Sequence, residues 1–456
     1  MQANQFFDPQ LLSKYNTSGP RYTSYPTALE FHDQFFEKDF IKAVQDSPNR
    51  ELSLYVHIPF CHSLCYYCGC NKVITRHRDK ADTYLEYLAE EISARAEFFT
   101  EYTVKQLHWG GGTPSFLTHP QITKLVSLLK EKFNFADQVE MSIEIDPREI
   151  EMNLAQHLFG LGFNRLSIGV QDIDLKVQQA INRVQSTEFI SDFIAHAKKV
   201  GFQSINIDLI YGLPHQTIET FTKTLNKAHE MDVDRISLFS YAHIPSRFAA
   251  QRKLRDEWLP NVKQKFALMK LAIEKLCGFG YDFIGMDHFA KPEDELSIAQ
   301  KNGTLHRNFQ GYTTKGGCDL LGLGVSSISN IGHSFSQNIK DLQSYYKAID
   351  NNKNAQEKGV SLCQDDVIRG DVIRELMCNL YVDKNMISEK YDIDFDHYFT
   401  EDLPLLSTFI DDGLVENSEE FIRVDQKARL LIRIICMSFD AYMKQHINQQ
   451  RFSRVI

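Results

Sequence analysis

Four cysteines, Cys61, Cys65, Cys68 and Cys70, fall within ten residues of one stretch, PFCHSLCYYCGC (59–70). The other five, Cys277, Cys318, Cys363, Cys378 and Cys436, are scattered. Thiols this dense act as small apolar packing groups, as zinc ligands or as ligands of an iron–sulfur cluster. Packing is a poor account, because His62, Ser63, Gly69 and Asn71 make the loop polar. Zinc usually takes four thiolate or imidazole ligands in paired C-x2-C units; no second C-x2-C occurs, although Cys70 or His62 could complete a set. A cubane held by three thiolates leaves one iron without a protein ligand, open to a substrate or cofactor. The spacing C-x3-C-x2-C-x-C by itself leaves zinc and a cluster both open.

Such a loop needs strands to aim it. Short apolar or alternating runs read as strands: LSLYVHI (52–58), VKQLHW (104–109), VEMSIEI (139–145), RLSIGV (165–170), SINIDLI (204–210) and RISLFSY (235–241). Between them, KADTYLEYLAEEISARAEFF (80–99), HPQITKLVSLLKEKF (119–133), STEFISDFIAHAKKVG (186–201) and TIETFTKTLNKAHEM (217–231) have helical spacing. Strand and helix alternate about six times over roughly 190 residues, which argues for parallel βαβ units in an open sheet or a barrel-like α/β fold. Pattern alone does not decide between those two. The cysteine loop follows the first strand, and GGGTPS, EIDPRE, GVQD, DLIYGLP and SYAHIPS follow later ones. In parallel α/β folds these positions share one face, where chemistry is placed. The glycines of GGGTPS predict a tight turn, or a close backbone approach that leaves N–H groups for a ligand.

C-x3-C-x2-C with an aromatic residue, Tyr67, just before the third cysteine resembles the radical S-adenosylmethionine (SAM) signature. Further stretches, HIPFCHSLCYYCGCNK, HWGGGTP, SIEIDPRE, RLSIGVQD, NIDLIYGLP, HRNFQGYTT, SGPRYTSYPTALEF and the terminal RFSRVI, resemble the oxygen-independent coproporphyrinogen III oxidase family of bacterial haem biosynthesis. The resemblance spans essentially the whole chain. It implies a partial parallel (β/α)6-type barrel of radical SAM type at 51–350, an N-terminal segment at 1–50 covering the active site, and a smaller, mainly helical, winged-helix-like domain at 361–456.

The same resemblance implies a [4Fe–4S] cluster on Cys61, Cys65 and Cys68, and two SAM molecules. Tyr55, Tyr67, Gly111, Glu144 and Ile328 match positions that contact the cluster-bound SAM. Gly112, Thr113, Gln171, Arg183, Asp208 and Ala242 match contacts to the second. The activity implied is oxidative decarboxylation of two propionates of coproporphyrinogen III to vinyl groups, giving protoporphyrinogen IX, started by a 5′-deoxyadenosyl radical. A radical suits this step because the target C–H is too weakly acidic for a side-chain base. Cys70 is expected near the reaction, in electron or hydrogen handling, or else is a free thiol without a role. Four substrate carboxylates call for cationic and hydrogen-bonding groups; Arg21 and Tyr22 lead, followed by Arg247, His288, His306 and Arg307. Tyr67 departs from the phenylalanine common in the family.

Bulk properties bound the remainder. With 456 residues, 43% hydrophobic and 24% charged, the chain is a globular protein large enough for two or three domains. No apolar run of about 18 residues predicts a membrane span, and the start lacks signal-peptide character. An odd number of unpatterned cysteines points to a reducing cytoplasm. The formal net charge of −10 lowers the expectation of nucleic-acid binding. Residues 363–456 hold 18 Asp/Glu against 11 Lys/Arg, so the C-terminal region is not expected to read DNA or RNA. DNNKNAQEKGV, near 350–360, reads as a polar linker. The expected partners are the porphyrinogen and an electron donor for the cluster, with a monomer as the family expectation. The alternative is a related haem chaperone without oxidase activity; such relatives lack the fourth cysteine and the PRYTSYPT start, both present here.

Overall fold

The computed structural model describes residues 9–15, 17–352 and 354–443; the terminal RFSRVI lies outside them. The chain divides into two compact units, one of Met1–Glu30, Lys270–Gly316 and Leu362–Ile456, the other of Phe31–Met269 and Gly317–Ser361.

The larger unit holds six parallel strands that the alternation predicts: β1 (Glu51–Ile58), β2 (Thr103–Gly111), β3 (Asn134–Ile145), β4 (Arg165–Gln171), β5 (Ser204–Tyr211) and β6 (Arg235–Ser240). Four more strands follow: β7 (Asp319–Leu323), β8 (Ile328–Ile331), β9 (Ser334–Asn338) and β10 (Gln356–Ser361). Their order is β10-β9-β8-β7-β1-β2-β3-β4-β5-β6. Pairing is parallel from β7 through β6 and antiparallel from β7 out to β10. This is the mostly parallel α/β sheet that the alternation calls for, extended by an antiparallel flank. The linker expectation fails at β10. That segment reads as polar because it is an edge strand, half solvated, pairing Phe335 with Val360 on its inner side.

Strand alternation sorts the residues chemically. Leu52, Leu54, Val56 and Ile58 of β1, Leu107 and Trp109 of β2, Ile143 and Ile145 of β3 are buried. Burying each such side chain stabilises the fold by roughly 1.5–3 kcal/mol. The intervening positions carry polar groups that bond across the strands. Ser53 Oγ donates to Gln106 Oε1 (2.8 Å), and Gln106 Nε2 to Glu140 Oε1 (2.8 Å). Asn206 Nδ2 donates to Ser167 Oγ (2.9 Å), and Ser237 Oγ to Asn206 Oδ1 (3.1 Å). One face of the sheet is thus apolar and the other a hydrogen-bonded polar surface, as a period of two requires.

The helices start and stop on local signals. Thr118 and Gln121 form a reciprocal cap at the start of His119–Lys132. Ser186 caps Thr187–Val200, which Gly201 ends at φ 118°. Helix Lys80–Ala96 does more than pack. Its fully buried Glu91 accepts from Gly324 N (2.8 Å), Asn338 Nδ2 (2.6 Å) and Tyr345 Oη (2.7 Å). Its Tyr84 Oη donates to His57 O (2.6 Å) and accepts from Val325 N (3.1 Å). The helix thereby fixes the end of β1 and the turn between β7 and β8.

In the smaller unit, helix Gln364–Asn379 accompanies a three-stranded sheet of Tyr381–Asp383, Val415–Asn417 and Phe421–Val424, the last two forming a hairpin within DDGLVENSEEFIRV. In this domain, expected to be mainly helical, the stretch ARLLIRIICMSFDAYM is α-helical only over Ile432–Cys436. Tighter 3-10 turns flank it; buried Arg429, in the first of them, and buried Arg433, in the helix itself, bond to backbone carbonyls of other segments.

Replacing Glu91 with Ala takes the acceptor from the Gly324 N–H and the Tyr345 hydroxyl in a dry interior, while Asn338 Nδ2 keeps Gly324 O and Ser327 Oγ. It should cost roughly 3 kcal/mol or more, read as a lowered urea midpoint at unchanged slope.

Candidate active site

The cysteine loop is closed at its base. Phe60–Cys61 pairs in parallel with Val73–Ile74, and Thr75 N donates to Cys61 O (3.0 Å). Its outer part is tied to the turn after β4: Tyr66 N donates to Ile181 O (3.0 Å) and Asn182 Nδ2 to Leu64 O (2.8 Å). Tyr66 and Tyr67 pack against an apolar cluster containing Val177, Ile181 and Leu213. Gly69 lets the loop pass close to Phe248, whose ring would lie 3.0 Å from an added Cβ. Cys61 and Cys65 are buried, Cys68 is half-buried and Cys70 is exposed.

Charge converges on Cys65. Its Sγ accepts from Arg148 Nη2 at 3.3 Å and Arg183 Nη1 at 3.4 Å. Both arginines grip Asp146: Arg148 Nη2 at 2.6 Å and Arg183 Nη1 at 3.2 Å. Burial alone would raise the Asp146 carboxyl, but the Arg183 and Arg148 charges outweigh it and hold it at about 2. Burial pushes the Cys61 thiol up to about 12, with Cys68 adding to the effect. A hydrogen bond from Cys70, helped by Lys72, brings Cys68 down to about 6. Among the described residues, no three His, Cys, Asp or Glu side chains converge on a point that a single metal ion could fill. A cubane asks for something different, since each thiolate takes its own iron. Three thiols on one polar loop, cationic donors on one sulfur and a buried Arg183 Nε with no hydrogen-bond partner suit an anionic thiolate cluster.

Around the loop, strand ends supply the other expected residues. Tyr55 Oη lies 3.1 Å from His57 Nδ1, and His57 Nε2 lies 3.2 Å from Asn71 O. A carbonyl only accepts, so His57 carries its proton on Nε2 and Tyr55 donates to Nδ1; burial keeps the ring neutral. Tyr55 stacks on His108 (centroids 5.9 Å apart), which bonds Ser142 Oγ at 2.6 Å and stands 3.5 Å from Glu144 Oε1. Gly111 N donates to Glu144 Oε2 (3.2 Å). Ile328 lies beside Tyr55, because Gly322 is the register partner of Tyr55 and an added Cβ there would sit 2.5 Å from Ile328 O.

Gln171 has φ 64° and Arg183 Nη2 donates to Gly169 O (2.7 Å), so both face the end of β4. Asp208 accepts from Asn206 Nδ2 (2.8 Å). Ala242 O and Tyr67 O both accept from Gln251 Nε2 (3.2 and 3.0 Å). The glycine tract departs from the reading that its N–H groups await a ligand. Gly111 N serves Glu144, Gly112 N donates to Ile58 O (2.9 Å) and Thr113 N to Phe60 O (2.9 Å). Gly112 is needed for close packing instead: an added Cβ would stand 2.6 Å from Pro59 O. Thr113 Oγ1 accepts from Asp146 N (3.1 Å), joining the ends of β2 and β3.

In the smaller unit, Arg21 pairs with Asp287, and Tyr22 Oη donates to Asp440 Oδ2 (2.9 Å) with its ring buried. His288, His306 and Arg307 lie in the same unit on short hairpins. Arg247 is exposed in the larger unit, stacked on Phe248. Sequence reasoning missed His57, His108, Asp146, Arg148 and Gln251. Asp146 and Arg148 stand in the EIDPRE loop, whose place after a strand was the available signal; Gln251 had none.

A sequence family described as the radical SAM superfamily matches residues 55–228, and the HemN C-terminal domain matches 362–431. Sheet, cysteine loop and family match together define a radical SAM protein, a class whose cofactors are a [4Fe–4S] cluster and SAM. Curated relatives described as oxygen-independent coproporphyrinogen III oxidase include those of Salmonella typhimurium and Escherichia coli K12, each 55% identical over 99% of this chain and 98% of the relative. That of Pseudomonas aeruginosa is 46% identical over 99% of both. A solved structure titled as the coproporphyrinogen III oxidase (HemN) from Escherichia coli, a radical SAM enzyme, superposes with a TM-score of 0.93 at 53% identity, covering 96% of this chain and 100% of that one. The chain belongs to the oxygen-independent coproporphyrinogen III oxidase family.

Two outcomes follow from the buried charges. Asp146→Ala leaves two guanidiniums uncompensated and should destabilise the fold by roughly 3–5 kcal/mol, measured by urea denaturation. Asp172, fully buried beside Gln171, accepts from Gln216 Nε2 (2.6 Å) and Thr224 Oγ1 (3.0 Å), yet burial raises its carboxyl from 3.8 to about 6. The folded state therefore keeps this proton where the unfolded chain has lost it. The stability it contributes is full below about pH 4 and fades by about 3 kcal/mol as pH rises through 6. The difference between the unfolding free energies of the unaltered chain and Asp172→Asn should change by that amount across this window, and a flat difference would refute the assignment.

Proposed function

We propose that the chain decarboxylates two propionates of coproporphyrinogen III to vinyl groups without oxygen, giving protoporphyrinogen IX. The carrying observation is the cysteine loop with its paired arginines at Cys65, set in a chain 55% identical over nearly its full length to curated oxidases of that name. Cys61, Cys65 and Cys68 hold the cluster in this reading. The bound cluster and SAM supply one-electron chemistry that removes a hydrogen atom from the substrate.

The chain's own residues position and shield that event. Arg148 and Arg183, neutralised by Asp146, donate to Cys65 and hold the loop against the end of β4. The Tyr55–His57–Asn71 relay fixes the tyrosine hydroxyl as a donor to His57, leaving its oxygen lone pairs for a ligand. Glu144, with Gly111 N on one oxygen, is oriented to accept from the SAM amino group or ribose. Tyr67, Gly111 and Ile328 complete this first SAM site. Gly112, Thr113, Gln171, Arg183, Asp208 and Ala242 form the second in our reading. Its support is their common placement at strand ends; the internal bonds of Thr113 and Arg183 make these two part of the frame as well. Cys70, exposed and bonded to the Cys68 thiol, takes part in electron or hydrogen handling. Arg21 contacts the substrate, and Tyr22, anchored on Asp440, holds that segment in place. The protein works in the cytoplasm as a monomer, with a separate electron donor. No helix among the described residues is long and apolar enough to cross a membrane.

Anaerobic reconstitution followed by turnover with SAM, dithionite and coproporphyrinogen III should release CO2, 5′-deoxyadenosine and protoporphyrinogen. Retention of haem without 5′-deoxyadenosine release would favour the chaperone reading instead. Serine at Cys61, Cys65 or Cys68 should abolish the brown chromophore and bound iron; serine at Cys70 should keep both and lose turnover.

A further inference from the structure

Three guanidiniums crowd one carboxylate in the smaller unit. Arg21 pairs with Asp287 Oδ2, and His288 Nδ1 lies 2.7 Å from Asp287 Oδ1. Arg307 Nη1 donates to Arg21 O (3.0 Å), and Arg433 Nε to Pro20 O (2.7 Å), with Arg433 also bonding Gly19 O. Asp287 and Arg433 are each 6% exposed. Among the described residues, neither Arg307 nor Arg433 makes an ion pair with a carboxylate, and Arg307 Nε is buried with no hydrogen-bond partner. The Tyr312 hydroxyl, under the Arg307 guanidinium, is also buried without one.

The groups feel each other. Burial, then the charges of Arg21 and Arg307, press the Arg433 guanidinium down to about 10. Burial would raise the Asp287 carboxyl, but His288, Arg21 and Arg307 hold it far below the ordinary range. Buried charge left uncompensated is costly, so two guanidiniums in excess over carboxylate among the described residues favour an added anion. Guanidinium geometry selects a planar, bidentate partner, a carboxylate above all. Arg21, with 44% of its side chain exposed, gives access from solvent.

We infer that Arg21 and Arg307, backed by the field of Arg433, form a carboxylate-binding site that seats one propionate of the substrate. This rests on the functional reading above, in which the substrate is a tetracarboxylate. Asp287 holds Arg21 in place in the absence of ligand, and the Arg307 Nε–H is the donor left open for the incoming oxygen.

The test uses the reconstituted full chain and coproporphyrin III, the stable oxidised porphyrin with four free carboxylates, titrated by fluorescence. Its tetramethyl ester serves as the uncharged control. Arg21→Gln and Arg307→Gln should each weaken binding of the free acid about tenfold or more. Neither should alter the cluster spectrum or the response to SAM. The ester should bind the unaltered chain and both variants alike. Arg21→Gln removes a partly exposed side chain and leaves His288 and the Arg307 charge to compensate Asp287, so it keeps the test available if Arg307→Gln proves unstable. Equal affinity of the unaltered chain and a folded Arg21→Gln for the free acid overturns the site, as does equal affinity for acid and ester. If such variants keep the KM for coproporphyrinogen III while turnover persists, the site alone is refuted. If the unaltered chain neither binds the porphyrin nor turns over the porphyrinogen, the functional reading falls with it.

Discussion

Asp146 sits between two guanidiniums that also reach a cysteine sulfur, and the active end of the sheet is organised by the need to keep those charges compensated. Each partner comes from a different connection: Cys65 from the loop after β1, Asp146 and Arg148 from the turn after β3, Arg183 from the segment after β4. Thr113, after β2, accepts from Asp146 N and adds a fourth. In a dry interior none of these charges tolerates the loss of its partner, so four loops are held in one arrangement. A loop bearing four thiols in a polar sequence has little reason of its own to be rigid. Here it is rigid because its fifth residue, Cys65, is an acceptor for that network.

The sheet beneath answers a second demand. Parallel strands are normally buried on both faces and apolar throughout. This one keeps a full apolar face but turns serines, asparagine, glutamine and carboxylates to the other, bonded strand to strand. The result is a polar floor with little spare hydrogen-bonding capacity, interrupted where Tyr55, His57 and Glu144 rise toward the strand ends. Glu91 and Tyr84 extend the same logic to the added strands, using side chains of one helix to satisfy backbone N–H groups at the turn before Ile328 and the His57 C=O at the end of β1. Glycine serves this crowding: at Gly112 and Gly322 a side chain would collide with backbone oxygens.

The smaller unit shows the opposite electrostatic balance. Around Cys65 two arginines meet one aspartate and the cysteine sulfur. Around Asp287 three arginines meet one aspartate and, among the described residues, nothing else anionic pairs with them. The first arrangement suits a permanent cluster, the second a ligand that comes and goes.

Local patterning by itself determined much of this protein. Cysteine spacing within one loop, alternation in β1 to β6 and helical spacing between them are short-range features, and residues a few positions apart in sequence stay close in any fold. The caps at Thr118 and Ser186 belong to the same class. What only the tertiary structure decided is which partner each strand-end residue has. Arg183, legible by resemblance as a candidate contact to a second SAM, reaches a cysteine 118 positions away and an aspartate 37 positions away. Gly111 and Gly112 invite a ligand on paper, but their N–H groups meet Glu144 and Ile58 once the strands align. The polar stretch at β10 hid a strand because an edge is half solvated. Partner choice is a matter of strand register and loop closure, set by the packing of the whole sheet, and no local window of sequence contains it.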